Sequence, residues 1–298
     1  MSARSWRIAG PFGSQERIGS SLSTDQQSGQ GYRLQAGTPN PPIGSPAGYT
    51  VIVTIVALQD FGIGTTSGGA GFVCSGDAVI LNLNGGYLIG VEAAISPPGY
   101  QFSFVQADGV GVASVVKDLG TGNYPKRGNG IIVTANWDAV AGLMKLKTSY
   151  DSSSAQMAAP GFLPFINAAI SDFAFSLGHA NSAFFGIDTF PTDPIFGIAN
   201  VYYSTTKTQW TDQEISDFED EIKATMATDS SLPIPEGTTE SDWTIFDSRQ
   251  VASGSGSGPW TSRNGVYMLQ SDLFVRPAGN GNNEFQQLRN INFPVSGL

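Results

Sequence analysis

The sequence is poor in the residues that chemistry most often uses. One cysteine, Cys74, and one histidine, His179, occur in 298 residues. A single thiol excludes an internal disulfide framework and any zinc site built on several cysteines. Cys74 sits in the apolar run Gly71, Phe72, Val73, Cys74, where a thiol reads as an inert, buried small hydrophobe. Charged residues are 13% of the chain, against about 25% in ordinary globular proteins. That scarcity disfavours a helical bundle or coiled coil. The balance of 15 basic and 25 acidic residues gives a net charge of −10, and the basic residues are scattered. A surface that tracks nucleic-acid phosphates needs clustered cations, so no nucleic-acid partner is expected. No run approaches the roughly 20 apolar residues of a membrane span, and no apolar core of a signal peptide follows the basic residues near the N-terminus. The expectation is a soluble chain made in a reducing compartment, with no membrane partner.

What the sequence does have is glycine and turn-forming residues. The 37 glycines are nearly twice the usual share of about 7%, and 40% of residues are hydrophobic. This combination suits short strands joined by glycine-rich turns. Residues 1–47 are rich in Gly and Pro, with Trp6, Ile8, Phe12, Ile18, Tyr32 and Leu34 far apart. Apolar residues so spaced cannot build a core of their own. The stretch reads as an extended arm, anchored by Trp6, Phe12 and Tyr32, that lies on this domain or on a neighbouring subunit.

From Tyr49 onward strand signals dominate. Residues 50–58 (TVIVTIVAL) form a β-branched run that predicts a strand buried on both faces. Residues 78–82 and 87–93 flank Asn84, Gly85 and Gly86, a hairpin signal. Residues 100–106 alternate, and Asp108-Gly109 turns them into 110–117. Residues 131–137 and 143–150 predict another pair, and 172–177, 183–187 and 195–203 complete about ten strands. Regular short strands mean a sandwich or barrel. One helix follows. Thr211 and Glu214 make a capping box, and Ile215, Phe218, Ile222 and Met226 recur on one stripe that should lie flat on a sheet. Asp217, Glu219, Asp220 and Glu221 read as its solvated face. Residues 228–298 form a linker and a tail with a low-complexity Ser-Gly run at 253–258. The apolar pieces at 243–246, 266–269 and 273–275 are too few for a separate core, so a strand or two should add to the main sandwich or to another chain.

The segment Gly130-Ile131-Ile132-Val133-Thr134-Ala135-Asn136-Trp137-Asp138, a turn, and Leu143-Met144-Lys145-Leu146-Lys147 resembles the paired central strands of laminin G-like, concanavalin A-like lectin domains. Residues Ile198 to Tyr203, followed by Trp210-Thr211-Asp212-Gln213-Glu214-Ile215, resemble the closing strand and short helix of that family. The resemblance covers about residues 48–227. Tyr150-Asp151 replaces the family's usual glycine, and Trp210 stands where leucine is common. The resemblance implies an all-β, two-sheet antiparallel jelly-roll sandwich with one short C-terminal helix and extended terminal arms. It implies fold more than function, since the family includes glycan-binding lectins, glycosidases, adhesion modules and domains of bacteriophage particles. No family calcium ligand has a counterpart here, so no metal and no cofactor is expected.

Catalytic patterns are wanting. His179 has no nucleophile elbow beside it and reads as a structural or loop residue. Glycosidases of this class hold two carboxylates about 5 Å apart on a strand, whereas Glu92 is a lone strand carboxylate. Gly62-Ile63-Gly64 and Gly109-Val110-Gly111 lack the third glycine and helix of a phosphate loop. Binding and assembly are left. Tyr100, Tyr124, Phe190 and Trp260 are candidate aromatics for a glycan or for an interface. A sandwich with a Gly/Pro-rich arm and a strand-forming tail is how many bacteriophage structural proteins look. The expectation is therefore a non-enzymatic virion protein, made in the host cytoplasm, that decorates the capsid or associates with the head. Its partners would be the major capsid protein or copies of itself, with a low-charge surface covered by neighbours. The alternative is a tail or fibre receptor-binding lectin for host polysaccharide, and a carbohydrate-active enzyme is less favoured.

Overall fold

The structure, a computed structural model, describes residues 31–34, 48–57, 69–75, 86–95, 98–107, 112–119, 125–126, 128–160, 173–179, 196–228, 231–247, 260–263, 266–267, 276–277 and 291–294. The strands are β1 (Gly31–Leu34), β2 (Gly48–Ala57), β3 (Gly69–Ser75), β4 (Gly86–Ile95), β5 (Pro98–Ala107), β6 (Val112–Asp118), β7 (Gly130–Asp138), β8 (Leu143–Thr148), β9 (Ala155–Ala158), β10 (Phe173–His179) and β11 (Phe196–Ser204). The helix α1 (Asp212–Thr228) follows, then β12 (Thr244–Asp247), β13 (Trp260–Arg263), β14 (Val266–Tyr267) and β15 (Arg276–Pro277). A seven-stranded sheet runs β13-β1-β10-β3-β4-β5-β6, a six-stranded sheet runs β12-β11-β2-β7-β8-β9, and β14-β15 is a small ribbon. The protein is an antiparallel two-sheet jelly-roll sandwich, with one α-helix among the described residues.

Alternation builds the space between the sheets. Val51, Val53 and Ile55 of β2, Ile131, Val133, Ala135 and Trp137 of β7, and Met144 and Leu146 of β8 meet Phe102 and Phe104 of β5 and Val115 of β6 in one cluster. The intervening residues of β2 and β7 face the other way, yet both strands are buried along their whole length. The reason is a third layer. Ile52, Val56, Ile132 and Tyr202 pack with Trp210, Ile215, Phe218, Ile222, Met226 and Trp243, so α1 covers the outer face of the six-stranded sheet. The described part of that run, residues 50–57, is thus sandwiched between a sheet and a helix.

The β5–β6 and β7–β8 hairpins form as expected. In the latter, Asp138 Oδ1 accepts the amides of Val140 and Ala141 at 2.9 and 3.1 Å, and Gly142 takes φ 60° to complete the turn. The strand that precedes β4 and pairs with it is Gly69–Ser75; the expected strands at 78–82 and 183–187 lie outside the described residues. Strand β9 was missed because four residues alternating half-buried and exposed give no run. Within the stretch read as an arm, β1 pairs with β10 and β13. The tail supplies β12, paired with β11, and β13. Among the described residues, no helix is long and apolar enough to cross a membrane.

Candidate functional site

Among the described residues, a connected set of buried polar groups lies in the seam between α1 and the six-stranded sheet. The helix begins where its sequence says it should. Glu214 N donates to Thr211 Oγ1 at 3.1 Å, and Thr211 N donates to Glu214 Oε2 at 2.7 Å. Lys207 holds the same carboxylate at 2.7 Å. The Lys207 bond, together with the Thr211 amide, lowers Glu214 to about 2. All four residues of the predicted stripe are buried.

The acidic residues of the helix divide. Asp217, Asp220 and Glu221 are exposed as expected, and Asp220 pairs with Lys223. Glu219 corrects the solvated-face reading: it is 2% exposed, and its Oε2 meets Lys147 Nζ at 2.6 Å. Two signals in the sequence pointed there. Glu219 stands four residues after Ile215 and three before Ile222, on the stripe rather than off it. Lys145 and Lys147 alternate with Met144 and Leu146, so both lysines project from the face opposite the sheet–sheet core.

That lysine pair organises the seam. Lys145 Nζ donates to Trp210 O at 2.6 Å and pairs with Asp212 at 3.1 Å. Asp212 also accepts from the Ser154 amide and hydroxyl at 3.0 and 2.8 Å. Burial alone would raise the Asp212 carboxyl, but the Ser154 and Lys145 bonds hold it below the usual range. Asn136 Nδ2 donates to Thr50 Oγ1 and to Thr208 O at 2.9 and 2.8 Å, and Trp210 Nε1 donates to Thr50 Oγ1 at 3.1 Å. Burial pushes Glu219 up to about 7, with Lys147 opposing the rise. Glu219 Oε1 and Thr134 Oγ1 are buried and have no hydrogen-bond partner among the described residues. A carboxylate and ammonium 3% and 1% exposed cannot meet a substrate. What the arrangement does chemically is fix α1 on β8. Among the described residues, no group of three His, Cys, Asp or Glu is placed to hold a metal.

The residues singled out in the sequence fall elsewhere. Tyr32 is in β1, opposite Phe175 and Ser262, and Trp260 is in β13, opposite Leu34. The row of partners through Tyr32 continues by Phe175, Val73 and Ile89 to Phe104, whose own side chain is core. Tyr100 lies in β5 opposite Ala93, with β10, β3 and β4 between it and β1. The fold therefore brings Tyr32 and Trp260 to neighbouring strands and leaves Tyr100 apart. Tyr124, Phe190, Trp6 and Phe12 lie outside the described residues. Cys74 pairs with Ala174 and Leu88 inside the seven-stranded sheet, His179 ends β10 opposite Gly71, and Glu92 pairs with Gly69 and Gln101.

No family model and no curated protein matches the sequence. Among solved structures, the heptameric SAP-like pentraxin of Limulus polyphemus is similar at a TM-score of 0.42 and 11% identity, over 73% of this chain and 86% of that one. The carbohydrate-binding module CBM40 of the Ruminococcus gnavus IT-sialidase gives 0.41 and 10%, over 63% and 92%. The enzymatically active domain of bacteriophage CBA120 tailspike protein 2 gives 0.39 and 12%, over 69% of this chain and 27% of that one. At these scores and identities the likenesses carry no inference about what this chain does.

Proposed function

We propose that this chain is a non-enzymatic structural subunit of a bacteriophage particle, which joins other virion subunits through its terminal segments as a capsid-decorating or head-associated protein. The observation that supports this reading is the use of both termini as strands. β1 from the N-terminal stretch and β13 from the tail lie side by side at the end of the seven-stranded sheet, and β12 ends the other sheet. Segments that cannot fold alone gain their order by strand addition, and strand addition works between chains as well as within one. The ion pair of Lys147 and Glu219 is buried in the helix seam, which favours a structural role for it over catalysis.

The test uses purified chain and empty capsids. The full chain is expected to bind in many copies, and deletion of residues 1–30, which spares β1, is expected to abolish most of that binding. Unchanged binding by the deletion would remove the arm from the reading. No capsid binding, with a glycan-array signal lost in Tyr100→Ala or Trp260→Ala, would replace it with the tail or fibre receptor-binding lectin. Release of reducing sugar from bacterial polysaccharide would overturn the non-enzymatic part.

A further inference from the structure

Strand β7 outlasts its partner. Pairing with β8 ends at Val133 and Thr148. The next residue, Ser149, serves Ile132 twice, its amide donating to Ile132 O at 2.8 Å and its hydroxyl accepting from Ile132 N at 3.0 Å. Beyond Ile132, the β8 side of β7 is met by residues from the far end of the chain. Gly130 N donates to Asn292 O at 2.7 Å, and Asn292 N donates to Gly128 O at 3.0 Å. Asn129 and Asn292 are partners in a parallel bridge. The opposite side is already closed by β2, through Val56 beside Gly130 and the Ala57 amide on Asn129 O at 2.9 Å. The gap left by β8 is thus a strand slot, and Ile291–Asn292–Phe293 fills it.

The slot is shaped for this segment. A Cβ at position 130 would come within 3.0 Å of Ile291 Cγ2 and of the Phe293 ring, so only glycine leaves room for both side chains. Ile291 and Phe293 join the seam cluster that holds Val56 and Ile132. With the segment in place Gly128 and Gly130 are buried, and the Gly130 amide and Gly128 carbonyl are both satisfied by Asn292. Every contact described involves only the slot and residues 291–293. None depends on which copy of the chain supplies them. Residues 278–290 before the segment span at most roughly 45 Å when extended, enough to reach an adjoining subunit. From 285 to 298 the only charged side chain is Arg289, while the whole chain carries −10, so the segment itself brings no acidic side chain to the slot of a second copy.

We propose that this slot is the docking site for the C-terminal segment of a second copy of the chain, Ile291–Asn292–Phe293 of one subunit adding a strand beside Gly128–Gly130 of the next. Exchange of an identical element is a low-cost route to assembly: reciprocal exchange closes a two-fold dimer, and one-way exchange builds rings or open chains. In a dilute chain the same segment occupies the slot in cis. The inference deepens the assembly reading above and rests on it.

Disulfide trapping tests it on the full chain. Asn129→Cys and Asn292→Cys are made in separate copies, mixed at high concentration and oxidised with copper phenanthroline, with the wild-type chain and its single Cys74 as control. The mixture is expected to give a disulfide-linked dimer that neither variant gives alone. Ile291→Ser with Phe293→Ser is expected to lower the yield by about tenfold or more, since both side chains pack against the seam cluster. Gly130→Val is expected to abolish the product; if that variant does not fold, the tail variants decide. The inference is overturned if the mixture stays monomeric under conditions in which the Asn129→Cys/Asn292→Cys double variant closes within one chain. Trapping in pure protein needs no capsid, so it can succeed where capsid binding fails, and capsid binding without any interchain product defeats the exchange alone.

Discussion

The two faces of the six-stranded sheet are built by the same strands and held by different forces. Toward the other sheet, β2, β7 and β8 present Val, Ile, Ala, Trp, Met and Leu, and the cluster there is almost wholly apolar. Tyr49 and Tyr203 bring hydroxyls into it; that of Tyr49 donates to Gln106 at 2.8 Å while its ring meets Phe104 edge-on at 6.0 Å. Toward α1, the alternate residues are Thr50, Thr54, Thr134, Asn136, Lys145 and Lys147 beside Ile52, Val56 and Ile132, all buried, mixed with an aromatic set of Tyr202, Trp210, Phe218 and Trp243. Dispersion and the hydrophobic effect are non-directional, so the inner face supplies cohesion. Directional bonds to Trp210, Asp212 and Glu219 fix where along the sheet the helix sits. The inner face should govern global stability, and the outer face should govern the position and retention of α1.

The largest effect is expected inside. Trp137 is fully buried, and Trp137→Ala removes its contacts with both sheets and leaves a cavity. A loss of about 3–5 kcal/mol is expected in urea unfolding. A loss below about 1 kcal/mol would mean that the inner face is not the dominant store of stability.

Lys147→Met comes next, because it leaves Glu219 buried without its cation. A loss of about 3 kcal/mol is expected, whereas Lys147→Met with Glu219→Leu should be near neutral or stabilising, since an apolar pair escapes the desolvation cost. A double variant as unstable as the single one would show that the pair is cohesive in itself, and the contrast between the faces would fail. The pair also predicts a pH dependence. Burial raises Glu219 from 4.5 to about 7, so the folded chain holds this proton more tightly than the unfolded chain does. Stability from this group is full below about pH 4.5 and falls as pH rises toward 7, by at most about 1.4 kcal/mol per pH unit. Glu219→Gln should flatten that part of the denaturation profile. Asp151 and Glu214, both held near 2 by their lysines, act in the opposite sense and below about pH 4.

The sandwich was legible because its strands alternate or run β-branched, and the helix because Thr211 and Glu214 mark its start. The seam was only half legible. The period of the stripe includes Glu219, but an acidic residue among acidic neighbours reads as solvated unless the lysines of β8 are placed first. The slot at Gly130 was not legible at all. It depends on where β8 stops relative to β7, and on a contact between Asn129 and Asn292 that no local pattern encodes. Single rings near turns have no periodicity that ties them to one face, so the sequence could not say that β10, β3 and β4 would separate the strand of Tyr100 from the strand of the arm anchor Tyr32.

The smallest effect tests whether the two faces are separable. In Thr211→Ala the hydroxyl that accepts the Glu214 amide at 3.1 Å and donates to Glu214 Oε2 at 2.8 Å is lost. The Thr211 amide and Lys207 still hold Glu214, and Lys145 still holds Trp210 O. Cap removal typically costs about 1 kcal/mol, and with these supports intact the loss should fall at or below that figure. Its distribution matters more than its size. Hydrogen exchange should quicken in the first turn of α1 while the amides of β7 that face β2 keep their protection, because local opening of a helix end need not open the core. If the β7 amides lost protection by the same factor as those of α1, helix and sandwich would open as one unit. The outer face would then be part of the same cooperative core as the inner one, with its polar bonds contributing cohesion and not merely position.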